Sequence, residues 1–420
     1  MLIYLARIAD GGIDLGLGVR EMAANSEQTI ARASAILTAR VVVALVLAIL
    51  LAVVALAVLP TPDRLVLALY GLTLIPVAAS TRWILLGMER TQSVAATRAL
   101  GEAVMVSLVF VLVRGREDIL VAPLAQFAGD ALAAGVLLWW VARRGIRLSV
   151  TFDWQAIRPL VGRAWPLVAS ALVGLLIYNS DLIFLRFFRD RAAVGLYAAA
   201  YLLVSFISNL GTAYGLSLLP SLTRTASLPA DHGKLYHTAT AHVFAIGFPI
   251  TLGGCLLASQ IIALLFGSQY SDSADALRIL IWAIPVSLLR DVPVMALMAS
   301  GREDRILRLT AWAAAAGLAL NFLLIPPYGI IGAAIATVAT EGIRMVLALA
   351  AVRKYGFELT RMSRLWKSML AGTVMAALLL LLSPSALWLA LVLGAAGYGA
   401  SLALLGGIAF RRGSFPSLNV

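Results

Sequence analysis

The residues able to do chemistry in this chain are charged and polar side chains set inside long apolar runs. Arg7, Asp10 and Asp14 fall at i, i+3 and i+7 of the first run, on one helical face flanked by Gly11 and Gly18. Asn179 and Asp181 interrupt a run near 164–186. Tyr197, Tyr201, Ser205, Ser208 and Thr212 make a polar stripe at helical spacing. Arg290 and Asp291 are neighbours in a later run, and Thr337, Thr340, Glu341 and Arg344 share a face of another. An ionisable group at the bilayer centre costs ~3 kcal/mol even on lenient scales, so a retained one faces a cavity or finds a partner. Two readings follow. In the plainer one, Glu341 and Arg344 neutralise each other at i, i+3, Arg290 and Asp291 pair with other helices, and the hydroxyl stripe packs helices together. In the functional one, these faces wall a wet cavity. That so many helices carry a polar face favours the cavity.

Other chemistries are poorly served. His232, His237 and His242 are five apart, which places neighbours about 140° round a helix and spoils chelation. The single cysteine, Cys255, allows no intrachain disulfide and no cysteine-based metal site. Asp10, Asp14 and Asp181 could act as general acids, but no Ser/His pair or loop frames a reaction centre. There is no glycine-rich phosphate loop, hence no built-in ATPase.

The elements that must position these groups are membrane helices. Of the 420 residues, 61% are hydrophobic and 13% charged. With about 20 apolar residues per crossing, the pattern predicts roughly thirteen spans, at 1–20, 36–59, 65–86, 95–113, 119–141, 164–186, 194–219, 238–266, 275–299, 306–325, 329–352, 365–383 and 386–410. Pro60, Pro62, Pro326, Pro327 and Pro384 punctuate the expected outer turns. The net charge of +12 follows the topology. Alternate loops are basic, 22 Lys and Arg on one side against 6 on the other, from Arg20 and Arg32 through Arg143, Arg144, Arg147, Arg158 and Arg163 to Arg361, Arg364, Arg411 and Arg412. This positive-inside bias puts the C-terminus in the cytoplasm and makes the charge a topology signal with attraction to anionic lipid, not a nucleic-acid footprint.

The longest inner connection, 143–163, predicts a short interfacial helix capped by Asp153, with Ile157, Leu160 and Val161 on one side and Arg158 and Arg163 on the other. It divides the chain into 1–143, an N-terminal lobe, and 144–354, a second lobe, with 355–420 as a C-terminal helix pair. A weak echo links Ile75-Pro76-Val77 with its trailing Gly87-Met88-Glu89-Arg90 to Ile284-Pro285-Val286 with Gly301-Arg302-Glu303. It suggests two related bundles. Met1 opens inside an apolar helix with neither a basic leader nor a cleavage site, so no signal peptide is expected there.

Several stretches, taken in order, resemble one family. GGIDLGLGVREMA at 11–23 is similar to the second-helix signature of prokaryotic polysaccharide exporters. YNSDLIFLRFFRDRAAVGLYAAAYLL at 178–203 resembles their seventh-to-eighth-helix passage, with Val194, Gly195 and Tyr197 at its opening. Leu219-Pro220-Ser221-Leu222, the stretch 264–280, ASGREDRILRLT at 299–310 and LNFLLIPPYGIIGAAIATVATE at 320–341 are similar to later passages. On these motifs the chain is identified as a member of the polysaccharide transport branch of the multidrug/oligosaccharidyl-lipid/polysaccharide (MOP) exporter superfamily.

The resemblance implies an all-α polytopic membrane protein of MATE-like fold: two six-helix bundles in a V, plus a C-terminal pair. That makes fourteen helices, so thirteen spans imply that the family's first helix is not in this stretch. It further implies a non-enzymatic flippase in the bacterial inner membrane. Such a protein carries undecaprenyl-pyrophosphate-linked oligosaccharide between leaflets by alternating access, alongside a polysaccharide polymerase and glycosyltransferases. No cofactor is implied beyond coupling to an H+ or Na+ gradient or to the membrane potential. Guanidinium suits phosphate, which makes Arg7, Arg290 and Arg344 candidates for the pyrophosphate. Asn179 and the stripe from Tyr197 and Tyr201 would serve the sugar, with Asp10, Asp14, Asp181 and Glu341 lining the same cavity. The alternatives are a multidrug or cation antiporter of the same superfamily, which would favour an acidic aromatic pocket, and a membrane glycan polymerase or transferase, which would show a large outer loop.

Overall fold

The computed structural model describes residues 2–61, 63–225, 229–354, 365–382, 387–409 and 417–418. Pro62, Pro384, Arg361, Arg364, Arg411 and Arg412 lie outside the described residues, as does the side chain of His232. In chain order the helices are α1 (Leu2–Asp10), α2 (Gly18–Ala24), α3 (Ser26–Val58), α4 (Asp63–Leu72), α5 (Leu74–Ala79), α6 (Arg82–Gly87), α7 (Thr91–Leu112) and α8 (Val121–Ala142). They continue as α9 (Trp154–Phe188), α10 (Arg191–Thr225), α11 (Pro229–Leu256), α12 (Ala258–Phe266), α13 (Ser273–Leu280), α14 (Ala283–Ala299), α15 (Glu303–Arg353), α16 (Trp366–Leu382) and α17 (Leu387–Leu404). Among the described residues, ten helical segments are long and apolar enough to cross a membrane. One of them, α15, is bent and supplies two arms. With the broken first helix and the shorter α16, the expected thirteen spans are accounted for. Their outward faces are apolar, with Phe110 at 88% and Leu381 at 84% exposure. Such a surface suits lipid, where helices satisfy their own backbone groups.

The local departures from simple spans have identifiable causes. The first span is not one helix. Gly11 (φ +58) and Gly12 (φ +79) adopt left-handed backbone that other residues enter at a cost, and they end α1. A π-turn at Ile13–Leu17 follows before α2 begins. Asp10 stabilises the restart, its Oδ1 accepting the Asp14 backbone N–H at 2.9 Å. The Pro326-Pro327 pair predicts a turn, yet the chain stays helical through it and bends at Gly329 (φ +56). Arg189 Nη2 donates at 2.6 Å to the Pro326 carbonyl there, whose i+4 amide lies beyond the bend at Gly329.

The interfacial helix is a correction. Residues from Trp154 belong to a single 35-residue helix that runs to Phe188. Pro159 sits near its start, where few amide donors are needed, and Pro166 is carried inside it. The connection from the end of α8 is instead an extended segment. Within it, Ser149 and Thr151 donate their backbone N–H groups to Ser34 Oγ and Thr38 Oγ1 of α3, each at 3.1 Å.

The chain divides into two compact units. Unit 1 holds Met1–Leu172 with the short segments Leu219–Arg224 and Gly301–Leu307. Unit 2 holds Val173–Leu218, Thr225–Ser300 and Arg308–Val420. Within unit 1, α7 and α8 cross so closely at Gly101 and Gly129 that a Cβ on Gly101 would meet the Gly129 carbonyl oxygen at 2.7 Å. Buried Arg20 pairs with Glu303 and, at 3.0 Å, with Glu21, which also takes Arg163 at 2.9 Å. Glu89 accepts the Ser221 hydroxyl at 2.8 Å and pairs with Arg224. The two glutamates of the sequence echo thus both anchor short segments of unit 1.

Candidate functional site

The ten residues singled out by sequence divide between the units: Arg7, Asp10 and Asp14 in unit 1, and the other seven in unit 2. In unit 1 the break in the first helix brings Asp10 and Asp14 together, both about 5% exposed. Arg40, buried in α3, bridges them, its Nη2 lying 3.1 Å from Asp10 Oδ1 and 2.9 Å from Asp14 Oδ2. Its Nη1 donates to the Ser80 carbonyl at 3.1 Å. Arg82 places Nε 3.2 Å from Asp14 Oδ2 while its side chain stays 38% exposed. Asp10 Oδ2 and Asp14 Oδ1 find no protein donor among the described residues. Arg7 is half-buried near the same carboxylates and makes no ion pair within 4 Å among the described residues. Three guanidiniums therefore stand against two carboxylates, a formal excess of one positive charge within the membrane.

Sequence reasoning missed Arg40 and Arg82. Arg40 falls inside the predicted span 36–59, and Arg82 falls near the end of the span 65–86, where it counts among the inner-side charges. A signal was present: two intramembrane aspartates need cations within reach of the same depth. Arg98, near the start of the predicted span 95–113, likewise counts among the inner-side charges. It is in α7 and pairs with Glu102 and, at 3.2 Å, with Asp130 of α8.

Unit 2 holds two polar centres. In the first, Arg290 donates Nη2 to Asp291 Oδ1 and Nη1 to Glu341 Oε2, each at 2.7 Å. Arg344 Nη1 meets Glu341 Oε1 at 2.6 Å, and Thr212 donates to Asp291 Oδ2 at 3.1 Å. Both of the plainer pairings thus occur: Glu341 with Arg344, and Arg290 with another helix as well as with its own neighbour. Two arginines and two carboxylates cancel.

The second centre is Asp181, 4% exposed. Its Oδ2 accepts Tyr197 Oη at 2.7 Å and Thr337 Oγ1 at 2.5 Å, and its Oδ1 accepts Asn321 Nδ2 at 2.6 Å. Ser180 Oγ lies 3.5 Å away. Every one of these partners is neutral, and no Lys or Arg comes within 4 Å among the described residues. Beside Asp181 lies a cavity of about 20 Å³ also lined by Tyr201, Ser208, Ser287, Thr340 and Glu341. Asn321 Oδ1 is buried without a donor among the described residues. The hydroxyl stripe is split in use. Tyr197 is fully buried on Asp181, Tyr201 donates to the Tyr178 carbonyl at 3.3 Å, and Ser208 bonds Ser287 at 3.3 Å. Asn179 donates to the Leu175 carbonyl at 2.8 Å. Thr337 and Asn321 complete the Asp181 shell; only Thr337 stood out in the sequence, as part of the face with Glu341.

Known proteins resemble this arrangement in sequence and in fold. A family model described as "Polysaccharide biosynthesis protein" matches residues 1–226. The chain belongs to that family. It is 22% identical over 272 residues to a protein named as an O-antigen transporter in Shigella dysenteriae, covering 64% of this chain and 68% of that one. It is 30% identical over 210 residues to the flippase named AglR in Haloferax volcanii, covering 47% of this chain and 43% of the relative. Among solved structures, the lipid II flippase MurJ in an inward closed conformation superposes with a TM-score of 0.70 at 13% identity, over 96% of this chain and 90% of that one. The Vibrio cholerae MATE transporter VcmN gives 0.66 at 17% identity in its bent form, over 88% and 87%. The expected fold class is therefore borne out: helical, polytopic and of the MATE and MurJ type. The family, relatives and fold are those of MOP-superfamily polysaccharide transporters, not of enzymes.

Proposed function

We propose that this protein is a flippase that moves lipid-linked oligosaccharide across the bacterial cytoplasmic membrane by alternating access, with its C-terminus inside, next to a polysaccharide polymerase and glycosyltransferases. The observation that carries the reading is the cationic excess in unit 1. A lipid-linked sugar presents a pyrophosphate, and planar guanidinium is the side chain suited to it. Arg7 and the exposed part of Arg82 have capacity left for such a ligand. Arg290 and Arg344 are already matched by carboxylates, so they support the architecture of unit 2 more than capture. A cation exporter would want the opposite balance in unit 1, which disfavours the multidrug reading.

We assign coupling to Asp181. A buried carboxylate with only neutral partners needs a proton or a cation to offset its burial. The adjacent cavity of about 20 Å³ has room for one water-sized occupant. Glycan export in a flippase-null strain, at matched membrane abundance, tests the main reading. Arg7→Ala combined with Arg82→Ala should abolish complementation, while full complementation would sink pyrophosphate capture at this cluster.

A further inference from the structure

The extended segment joining α8 to α9 belongs to unit 1 and takes no part in the three polar centres. Its depth can be read from α3. Ser149 and Thr151 hang on Ser34 and Thr38, which bracket residue 36, where the predicted span of α3 begins. At 1.5 Å per residue, Thr38 lies within about 5 Å of that boundary. The segment therefore runs along the membrane–water interface on the arginine-rich side. Gly145 (φ +78) ends α8 and turns the chain into it.

In an extended segment residues i and i+2 share a face, so Val150 and Phe152 lie on the same one. Val150 is 92% exposed and Phe152 is 66% exposed. Trp154 opens α9 half-exposed, and Trp139 closes α8 with the Arg143 guanidinium 4.2 Å above its ring. Tryptophan at this depth is the usual interfacial anchor. Around these apolar groups stand Arg143, Arg147 and Arg158, all exposed and none ion-paired to a carboxylate within 4 Å among the described residues. In water, Val150 and Phe152 would be a wasted apolar surface. In hydrocarbon, the arginines would be unmatched.

We propose that this strap is a docking site for the anionic phospholipid headgroups of the bilayer. Val150, Phe152 and Trp154 enter the acyl boundary, and Arg143, Arg147 and Arg158 engage the phosphates. Apolar groups and unpaired cations within one short interfacial stretch are satisfied together only by such a surface.

The test uses the full chain, delipidated in detergent, with phosphatidylglycerol or phosphatidylcholine added and adducts counted by native mass spectrometry. Wild type should hold phosphatidylglycerol about a hundredfold more tightly. Removing all three charges in R143Q/R147Q/R158Q should erase the preference, at roughly fivefold per arginine. The triple lysine variant, which keeps the charge, should retain most of it. V150S/F152S should weaken both lipids alike. Equal binding of the two lipids by wild type, or an intact preference in the triple glutamine variant, overturns the proposal. Should that variant fail to fold, brominated phosphatidylglycerol decides. Its quenching of wild-type fluorescence should exceed that of W154F, and equal quenching rejects the site.

Discussion

Replacing Arg290 by alanine removes three hydrogen bonds and strands two carboxylates. Among the described residues Asp291 would keep only Thr212, and Glu341 only Arg344. Both acids are at least nine-tenths buried. Breaking a buried pair from one side costs about 3–5 kcal/mol, because the remaining charge has no compensation. Arg7→Ala is the contrast. Arg7 has no ion-pair partner within 4 Å among the described residues, and its loss relieves an excess of positive charge. The expected stability change is about 1 kcal/mol or less. If Arg7 meets pyrophosphate, though, the lost charged hydrogen bond is worth about 1.5–3 kcal/mol of binding, or about ten- to a hundredfold in affinity. The variants should fail in opposite ways. Arg290→Ala should melt early in detergent, and adding Asp291→Asn should recover part of the loss. Arg7→Ala should melt with wild type, yet in proteoliposomes need far more lipid-linked glycan for half-maximal flipping. Early melting of Arg7→Ala, or wild-type melting of Arg290→Ala, would refute the division of labour between the two arginines.

Other expectations are simpler. Asp181→Asn should fold, since Asn321 can still donate to the amide oxygen and the Tyr197 and Thr337 hydroxyls can turn to accept its N–H groups, but flipping should lose its dependence on an imposed H+ or Na+ gradient; an unchanged gradient response rejects the coupling assignment. Gly129→Ala should lower thermal stability by about 1–3 kcal/mol through overpacking, because a Cβ there would meet the Gly101 carbonyl oxygen at 2.5 Å. Glu89 lies in the turn after α6, and the Ser221 hydroxyl, with Arg224 behind it, holds its carboxyl below the usual 4.5. A depressed folded value contributes stability above the unfolded pKa that is lost as pH falls through the folded one. Wild type should therefore lose a small, screened increment of melting temperature below about pH 4.5 that Glu89→Gln never had; parallel pH profiles for the two would contradict this.

Much of the fold was legible because lipid imposes so few solutions. The number of crossings, their apolar lengths and the helix breakers all follow from the cost of an unsatisfied backbone in hydrocarbon. What the pattern could not show is where a helix survives its own breakers. Pro326 and Pro327 look like a loop, yet the chain stays helical through them, and the Pro326 carbonyl at the bend is capped by Arg189, 137 residues away in sequence. Likewise the sequence predicts an interfacial helix within 143–163 and a separate span from 164, whereas the backbone carries one helix from Trp154 to Phe188. These outcomes depend on tertiary partners that local propensity does not contain.

The site was legible as a set of residues but not as a set of pairs. Intramembrane charge announces itself by cost, so Asp10, Asp14, Asp181, Arg290, Glu341 and Arg344 were readable one by one. Their meaning lies in the balance each unit strikes. Arg40 and Arg82 turn an acidic pair into a cluster with one spare positive charge. In unit 2 the arginines are consumed by Asp291 and Glu341, and Asp181 is left with one formal negative charge and only neutral partners. An anionic headgroup and a coupling cation are the two species such balances would take. A flippase that captures a phosphate on one unit and a cation on the other has each ligand offsetting the charge its own unit leaves over. The Arg7 and Asp181 variants separate the two events. Loss of glycan affinity without loss of gradient response belongs to the first, and the reverse to the second. If the two losses appeared together in either single variant, the capture and coupling roles could not be assigned to separate units.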